Sequence, residues 1–115
     1  KKAYKGILAS SGNSFVHETE GQLILNGSYN INFTMDLVCK DVGLFEVLGK
    51  QLGIPLSISP KITEIFTKAK AQYGDRAWSS MVVKLLEDIC SADLRAEGFP
   101  SELIDQSQKI VGKEI

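Results

Sequence analysis

An all-α domain is what this sequence predicts, on three observations. Apolar residues recur at helical spacing nearly throughout the chain. Glycines at positions 12, 27, 53 and 74 punctuate that spacing where helices should stop. No internal repeat, low-complexity run or linker divides the 115 residues, and 43% of them are hydrophobic, enough for one core without disulfides or metals.

The opening Tyr4, Ile7 and Leu8 read as the last turns of a helix that ends at Ser10-Ser11-Gly12, with Gly12 in the left-handed cap conformation. A second helix runs from Ser14 to about Leu25 and stops at Asn26-Gly27, with an ordered loop after it. The third spans roughly Thr34 to Leu52 and ends at Gly53, because proline in Ile54-Pro55 restricts its predecessor. At about 100° per residue, Met35, Leu37, Val38, Val42, Leu44, Phe45, Leu48 and Leu52 share one wide apolar arc. Asp41 falls inside that arc, so it is expected to point inward and to need buried donors or a cation. Lys40 falls on the polar side with Asp36, one turn earlier, as an ion pair. Val47 also lies opposite the arc, which suggests packing by a neighbouring domain or subunit.

A fourth helix begins near Ser57 or Ser59, with Pro60 in its first turn, and carries Ile58, Ile62, Ile65, Phe66, Ala69 and Tyr73 as far as Gly74. The fifth is expected to start at Asp75 as its N-cap, with Trp78, Met81, Val82, Leu85, Leu86 and Ile89 as a core stripe. After Ser91 the periodicity is lost, and Leu103, Ile104 and Ile110 suit a short last helix or a flexible tail. The domain is therefore drawn at residues 1–91, with 92–115 as an extension that packs on it or is partly flexible.

Thirteen basic and 14 acidic side chains leave a net charge of −1, which offers no basic footprint for nucleic acid. No run approaches the roughly 18 apolar residues of a membrane span, and no signal-peptide core follows the Lys1-Lys2-Ala3-Tyr4-Lys5 start. The chain reads as cytoplasmic and, lacking an initiator Met, as a fragment or processed product. Cys39 and Cys90, far apart and each in a helical pattern, are expected to be buried free thiols. The sequons at Asn26 and Asn32 read as coincidental. His17 reads as a solvated helix residue. No P-loop, GxGxxG, HExxH, GxSxG or metal-ligand cluster is present, so the residues by themselves lead only to a soluble helical domain without a metal.

The segment from Phe33 to Leu44, F-T-M-D-L-V-C-K-D-V-G-L, resembles the F-x-L-x-L-x-x-K-D-x-x-L segment of the β-hydroxyacid (3-hydroxyisobutyrate) dehydrogenase family, with Met35 for the first Leu. Ile7 to Phe15 is similar to that family's helix end and S-S/A-G-x-S turn. Leu48 to Leu56 is similar to its A-x-x-x-G-V-P-L step, and Tyr73 to Ser80 to its G-x-x-D-x-S step. The resemblance covers roughly residues 3 to 90.

It implies a helical bundle like the C-terminal domain of the 6-phosphogluconate and 3-hydroxyisobutyrate dehydrogenases. It further implies a parent enzyme that interconverts a small 3-hydroxy acid and its semialdehyde with NAD or NADP. Phe33 would line the substrate and nicotinamide pocket, Lys40 would reach the cofactor or substrate, and Asp41 would support the site from behind. Each has a plainer alternative: Phe33 as a hydrophobic residue at a helix start, Lys40 as a solvated partner of Asp36, Asp41 as a ligand of neighbouring helix ends. The family's GxGxxG and its G-x-G-x-x-x-K catalytic lysine are absent, so the chain alone is expected to be inactive and to need an N-terminal Rossmann domain. By the same resemblance it would form one wall of the active site and the interface of a homodimer. The competing reading is a non-catalytic helical module for protein interaction.

Overall fold

The computed structural model describes residues 1–103, and the expectations for Ile104 and Ile110 lie outside them. Among the described residues all regular structure is helical. The elements are α1 (Lys2–Leu8), α2 (Phe15–Asn26), α3 (Met35–Gln51), α4 (Ser59–Tyr73), a 3₁₀ turn (Ser79–Val83) and α5 (Lys84–Cys90).

Local chemistry accounts for most of the boundaries. Ser14 caps α2 by accepting from the His17 amide at 3.0 Å, and Gly27 ends the helix at φ 92°, a conformation a Cβ would strain. Thr34 sits at the N-cap of α3 without bonding its amides, and Asp36 serves instead, accepting from the Leu37 amide at 3.0 Å and from the Thr34 hydroxyl. Pro60 stands in the first turn of α4, where its missing N–H costs nothing, and Gly74 closes that helix at φ 98°.

α1 ends earlier than expected. Its cap is Ala9 at φ −89°, and Gly12 is not in the left-handed region. Ser10 accounts for this, because its hydroxyl donates to the Ile7 carbonyl at 2.8 Å and accepts from the Gly12 amide at 3.1 Å, turning the chain with side-chain bonds. The fifth helix starts later than expected, at Lys84, and Asp75 does not cap it. Backbone bonding consumes residues 75–79 instead: Met35 N donates to Ala77 O at 2.8 Å, Asp36 N to Asp75 O at 3.0 Å, and Ser79 N to Phe33 O at 2.8 Å. With the Thr34–Trp78 antiparallel bridge, these bonds pin the start of α3 to the segment after α4. A helix from Asp75 would forfeit them.

The core is small. Met35, Ala69 and Leu85 are buried together, with Val38, Phe66, Tyr73, Met81 and Val82 packed around them. α3 and α4 form the main helix pair, and Gly49 lets them close on the connecting loop: a Cβ there would sit 2.5 Å from Leu56 Cδ1. Other apolar positions stay at the surface. Leu86 is 64% and Ile89 70% exposed, so two of the six residues of the expected α5 stripe are not core. The outer end of the α3 arc is open as well, with Leu44, Phe45, Leu48 and Leu52 all exposed beside Val47. The arc is wider than the one helix, α4, that packs on it. Both cysteines are free, but neither is buried: Cys39 is half-buried and Cys90 exposed.

After α5 the chain returns across α2. Ala96 N donates to Leu25 O at 2.9 Å and Asn26 Nδ2 to Phe99 O at 2.9 Å, while the Arg95 guanidinium donates to the Ile24 carbonyl. The bonds from Ala96 and Arg95 reach carbonyls in the last turn of α2, where helical N–H partners run out, and the Asn26 amide holds the Phe99 carbonyl.

Candidate functional site

Phe33 is held before it can be used. Its carbonyl accepts from Ser79 N, and the bridge at Thr34 fixes the next residue, so its ring is presented to a cleft of about 530 Å³ between α2, the α3 start and the 3₁₀ turn. Val38, Phe66 and Val82 line the apolar side of this cleft, and His17, Glu20 and Gly21 of α2 line the other. Phe33 is thus one of the aromatic residues that line this cleft, directly before α3.

Lys40 and Asp41 do not join it there. Neither lines the Phe33 cleft. Their side chains are 60% and 55% exposed and pair with each other, Lys40 Nζ to Asp41 Oδ1 at 3.3 Å. Two sequence expectations are therefore corrected. Asp41 is not inward, because the arc around it is itself open to solvent, and it borders a groove of about 370 Å³ with Phe45 and Ile62. Lys40 is not the partner of Asp36, whose carboxylate instead meets Arg76 at 3.4 Å. The Thr34 hydroxyl, against a smaller opposing effect of desolvation, holds the Asp36 carboxyl below its ordinary pKa, with help from the Leu37 amide and Arg76. A carboxylate committed to the first turn of α3 also closes that helix end to an anion.

His17 is not the solvated residue its spacing predicts: it is half-buried and stacks on Tyr4 at 4.6 Å between ring centroids. Its Nε2 donates to the Tyr4 carbonyl at 3.0 Å. That leaves Nδ1 as an acceptor in the neutral ring. Nor does spacing mark Glu20. It is half-buried, makes no ion pair or side-chain hydrogen bond among the described residues, and desolvation raises its carboxyl pKa. The signal for both is the α2 face His17, Glu20, Gly21, Ile24 at i, i+3, i+4 and i+7.

A dinucleotide needs a cradle of backbone N–H groups for its pyrophosphate, commonly where a strand runs into a helix. Among the described residues there is no strand, and the first turn of α3 is taken by Asp36. What these residues can offer a nicotinamide cofactor is one aromatic wall and one accessible ammonium, which fits a contributing surface and not a complete site. No group of three or more metal-ligating side chains occurs among the described residues. No helix among them is long and apolar enough to cross a membrane.

The described residues thus define an all-helical domain with an aromatic-lined cleft. Residues 1–86 match a family model described as NAD-binding of NADP-dependent 3-hydroxyisobutyrate dehydrogenase, and the chain belongs to that family. It is 35% identical over 81 residues to a 2-(hydroxymethyl)glutarate dehydrogenase of Eubacterium barkeri, covering 70% of this chain and 27% of that protein. It is 30% identical over 87 residues to an L-threonate dehydrogenase of Escherichia coli K12, covering 75% and 28%. An L-threonate dehydrogenase of Haemophilus influenzae is 29% identical over 87 residues, covering 75% and 29%. The chain therefore spans little more than a quarter of the length of these relatives.

Proposed function

We propose that this chain is the C-terminal helical domain of an NAD(P)-dependent dehydrogenase that interconverts a small 3-hydroxy acid and its semialdehyde. Family membership supports the cofactor class, and the names of the relatives, dehydrogenases of 2-(hydroxymethyl)glutarate and L-threonate, support a hydroxy acid as substrate. The observation that carries the reading is Phe33, an aromatic side chain fixed at a cleft by backbone bonds to the segment after α4.

In this reading the domain forms one wall of the active site. Phe33 packs against the reacting ring or substrate. Lys40, exposed on the next turns of α3, supplies a cation to an anionic group of cofactor or substrate, and Asp41 holds its ammonium in place. A bound NAD(P)⁺ would supply the hydride-accepting chemistry, and Phe33 and Lys40 would help to hold it. The dinucleotide cradle and the acid/base lysine belong to a Rossmann domain outside this chain, so the chain alone turns nothing over. The open face of α3, with Leu44, Val47, Leu48 and Leu52, serves as the interface of a homodimer.

The test is steady-state NAD(P)⁺ reduction by the longer polypeptide over a panel of 3-hydroxy acids, with this chain as the blank. Turnover by the longer protein and none by the short one is the expected result. No turnover with the hydroxy acids, and none with the matching semialdehydes and NAD(P)H, would end the enzymatic reading. A second reading, a non-catalytic module for protein association, draws on the same exposed α3 face and predicts a longer polypeptide without dehydrogenase activity.

A further inference from the structure

The cleft that holds Phe33 carries, on its two walls, hydrogen-bonding groups that the fold leaves unspent. Ser79 stands on the 3₁₀ turn and is only 5% exposed. Its amide is committed to the Phe33 carbonyl, but its hydroxyl has no hydrogen-bond partner among the described residues. The oxygen keeps an accessible face, and Ser79 lines the cleft. The neighbouring Ser80 hydroxyl, by contrast, donates to Tyr29 O at 2.9 Å. His17 stands on the other wall, in α2. Its Nε2 donates to the Tyr4 carbonyl at 3.0 Å, which leaves Nδ1 as an acceptor in the neutral ring. Tyr4 is fixed in turn: its hydroxyl donates to the Glu18 carbonyl at 3.2 Å, and Phe99 packs edge-on at 5.0 Å. Gly21 makes room for it, since a Cβ there would stand 3.1 Å from Tyr4 Cε2.

A donor and an acceptor set among apolar side chains such as Ile24, Phe66 and Val82 select for a hydroxyl. A hydroxyl can accept from Ser79 and donate to His17, whereas a methyl group would leave both unpaired. A carboxylate does not suit the cleft, because the ionised side chain that lines it is Glu20, itself an acid. An ammonium would meet Glu20, but the apolar walls would strip it of water at a greater cost than a hydroxyl. We infer that Ser79 and His17 are specificity-determining residues, and that they select a 3-hydroxy acid with a second hydroxyl at C2 over one with a methyl or an ammonium there. The carboxylate of such a substrate stays outside the cleft, as Lys40 does. The inference rests on the proposed dehydrogenase reaction and narrows its substrate class.

The test measures kcat/KM of the longer protein with three acids that differ at C2: 2,3-dihydroxypropanoate, 3-hydroxy-2-methylpropanoate and 2-amino-3-hydroxypropanoate. The wild type is expected to favour the hydroxyl over the methyl by about a hundredfold. Ser79→Ala is expected to cut that ratio about tenfold, through KM, because the contact is the same before and during hydride transfer. His17→Phe, which keeps a ring against Tyr4, is expected to cut it likewise. The melting temperature of Ser79→Ala should equal or exceed that of wild type, since the hydroxyl removed has no partner in the fold. A ratio near one in the wild type, a preference for the ammonium, or a ratio that Ser79→Ala leaves intact overturns the inference. So does a lowered melting temperature in Ser79→Ala, which would mark its hydroxyl as structural. Calorimetric titration of the same acids, on the same samples, separates the two claims. Hydroxyl-selective binding without turnover keeps the selection and sinks the dehydrogenase, whereas turnover without selectivity keeps the dehydrogenase and sinks the selection.

Discussion

Tyr29 donates its phenolic proton to the Glu87 carboxylate at 3.1 Å, across 58 residues of sequence, and this bond ties the α2–α3 loop to α5. Arg95 closes the cluster, donating to the Tyr29 hydroxyl and to Glu87 at 3.3 Å, with its guanidinium 4.9 Å from the centre of the Tyr29 ring. The Leu94 amide donates to the other Glu87 oxygen at 2.9 Å. One buried carboxylate thereby holds three separate parts of the chain. Glu87→Gln should cost about 2 kcal/mol in chemical denaturation and Tyr29→Phe about 1 kcal/mol. Equal stability of both variants and wild type would show that the cluster is not a stabilising one.

The same carboxylate sets an acid limit. Burial acts to raise the Glu87 pKa, but the Leu94 amide, the Tyr29 hydroxyl and the charges of Arg95 and Lys84 outweigh it and leave the net value below the ordinary 4.5. The contribution of Glu87 to stability is thus present above that ordinary value and is lost as pH falls below it, through the lower folded pKa. A pH series of melting temperatures should decline below about pH 4.5 more steeply in wild type than in Glu87→Gln. Parallel curves would contradict this assignment.

An alkaline limit comes from Tyr73, whose hydroxyl donates to Asp88 at 2.6 Å, linking α4 to α5. Desolvation and the Asp88 carboxylate push its pKa up from 10.0 to about 12. Because the folded state favours the neutral phenol, its contribution is intact below pH 10.0 and is lost as pH rises towards about 12. Burial raises Tyr4 and Tyr29 as well, so ultraviolet absorbance should show all three tyrosines ionising above the ordinary range, with Tyr73 in a late step at about 12. Loss of that late step in Tyr73→Phe would assign it.

Two glycines in α3 predict opposite signs. Gly43 has open space where a Cβ would go, so Gly43→Ala should stabilise by about 0.5 to 1 kcal/mol through the unfolded chain and helix propensity. At Gly49 the Cβ would meet Leu56 Cδ1 at 2.5 Å and Cγ at 2.9 Å, so the Leu56 side chain must give way. Overpacking of that kind typically costs about 1 to 3 kcal/mol, more than the propensity gain. Urea denaturation of the two alanine variants checks the pair, and the same sign for both would refute the close approach.

The bounds of α2, α3 and α4 were legible in the sequence because local signals set them: Ser14, Gly27, Pro60 and Gly74 act within a turn of where they stand. The start of α5 was not, since the bonds from residues 35, 36 and 79 that hold the preceding segment extended come from far along the chain. Periodicity named the apolar face of α3 but not how much of it a neighbour covers, and so it misplaced Asp41. The Phe33 segment was found through family resemblance. Its cleft was not, because His17 and Glu20 gain their setting from Tyr4 and from elements folded against α2.

On the proposed function, this helical domain presents Lys40 and Phe33 to the substrates of an NAD(P)-dependent dehydrogenase. Initial rates of NAD(P)H formation by the longer protein, wild type against Lys40→Ala, test it most directly. The wild type is expected to turn over a small 3-hydroxy acid. In the variant the KM for cofactor or hydroxy acid is expected to rise about tenfold, with an unchanged melting temperature, since Lys40 is a solvated side chain. Turnover with identical KM values in both proteins would remove Lys40 from the site, and absence of turnover with every hydroxy acid and semialdehyde would contradict the account as a whole.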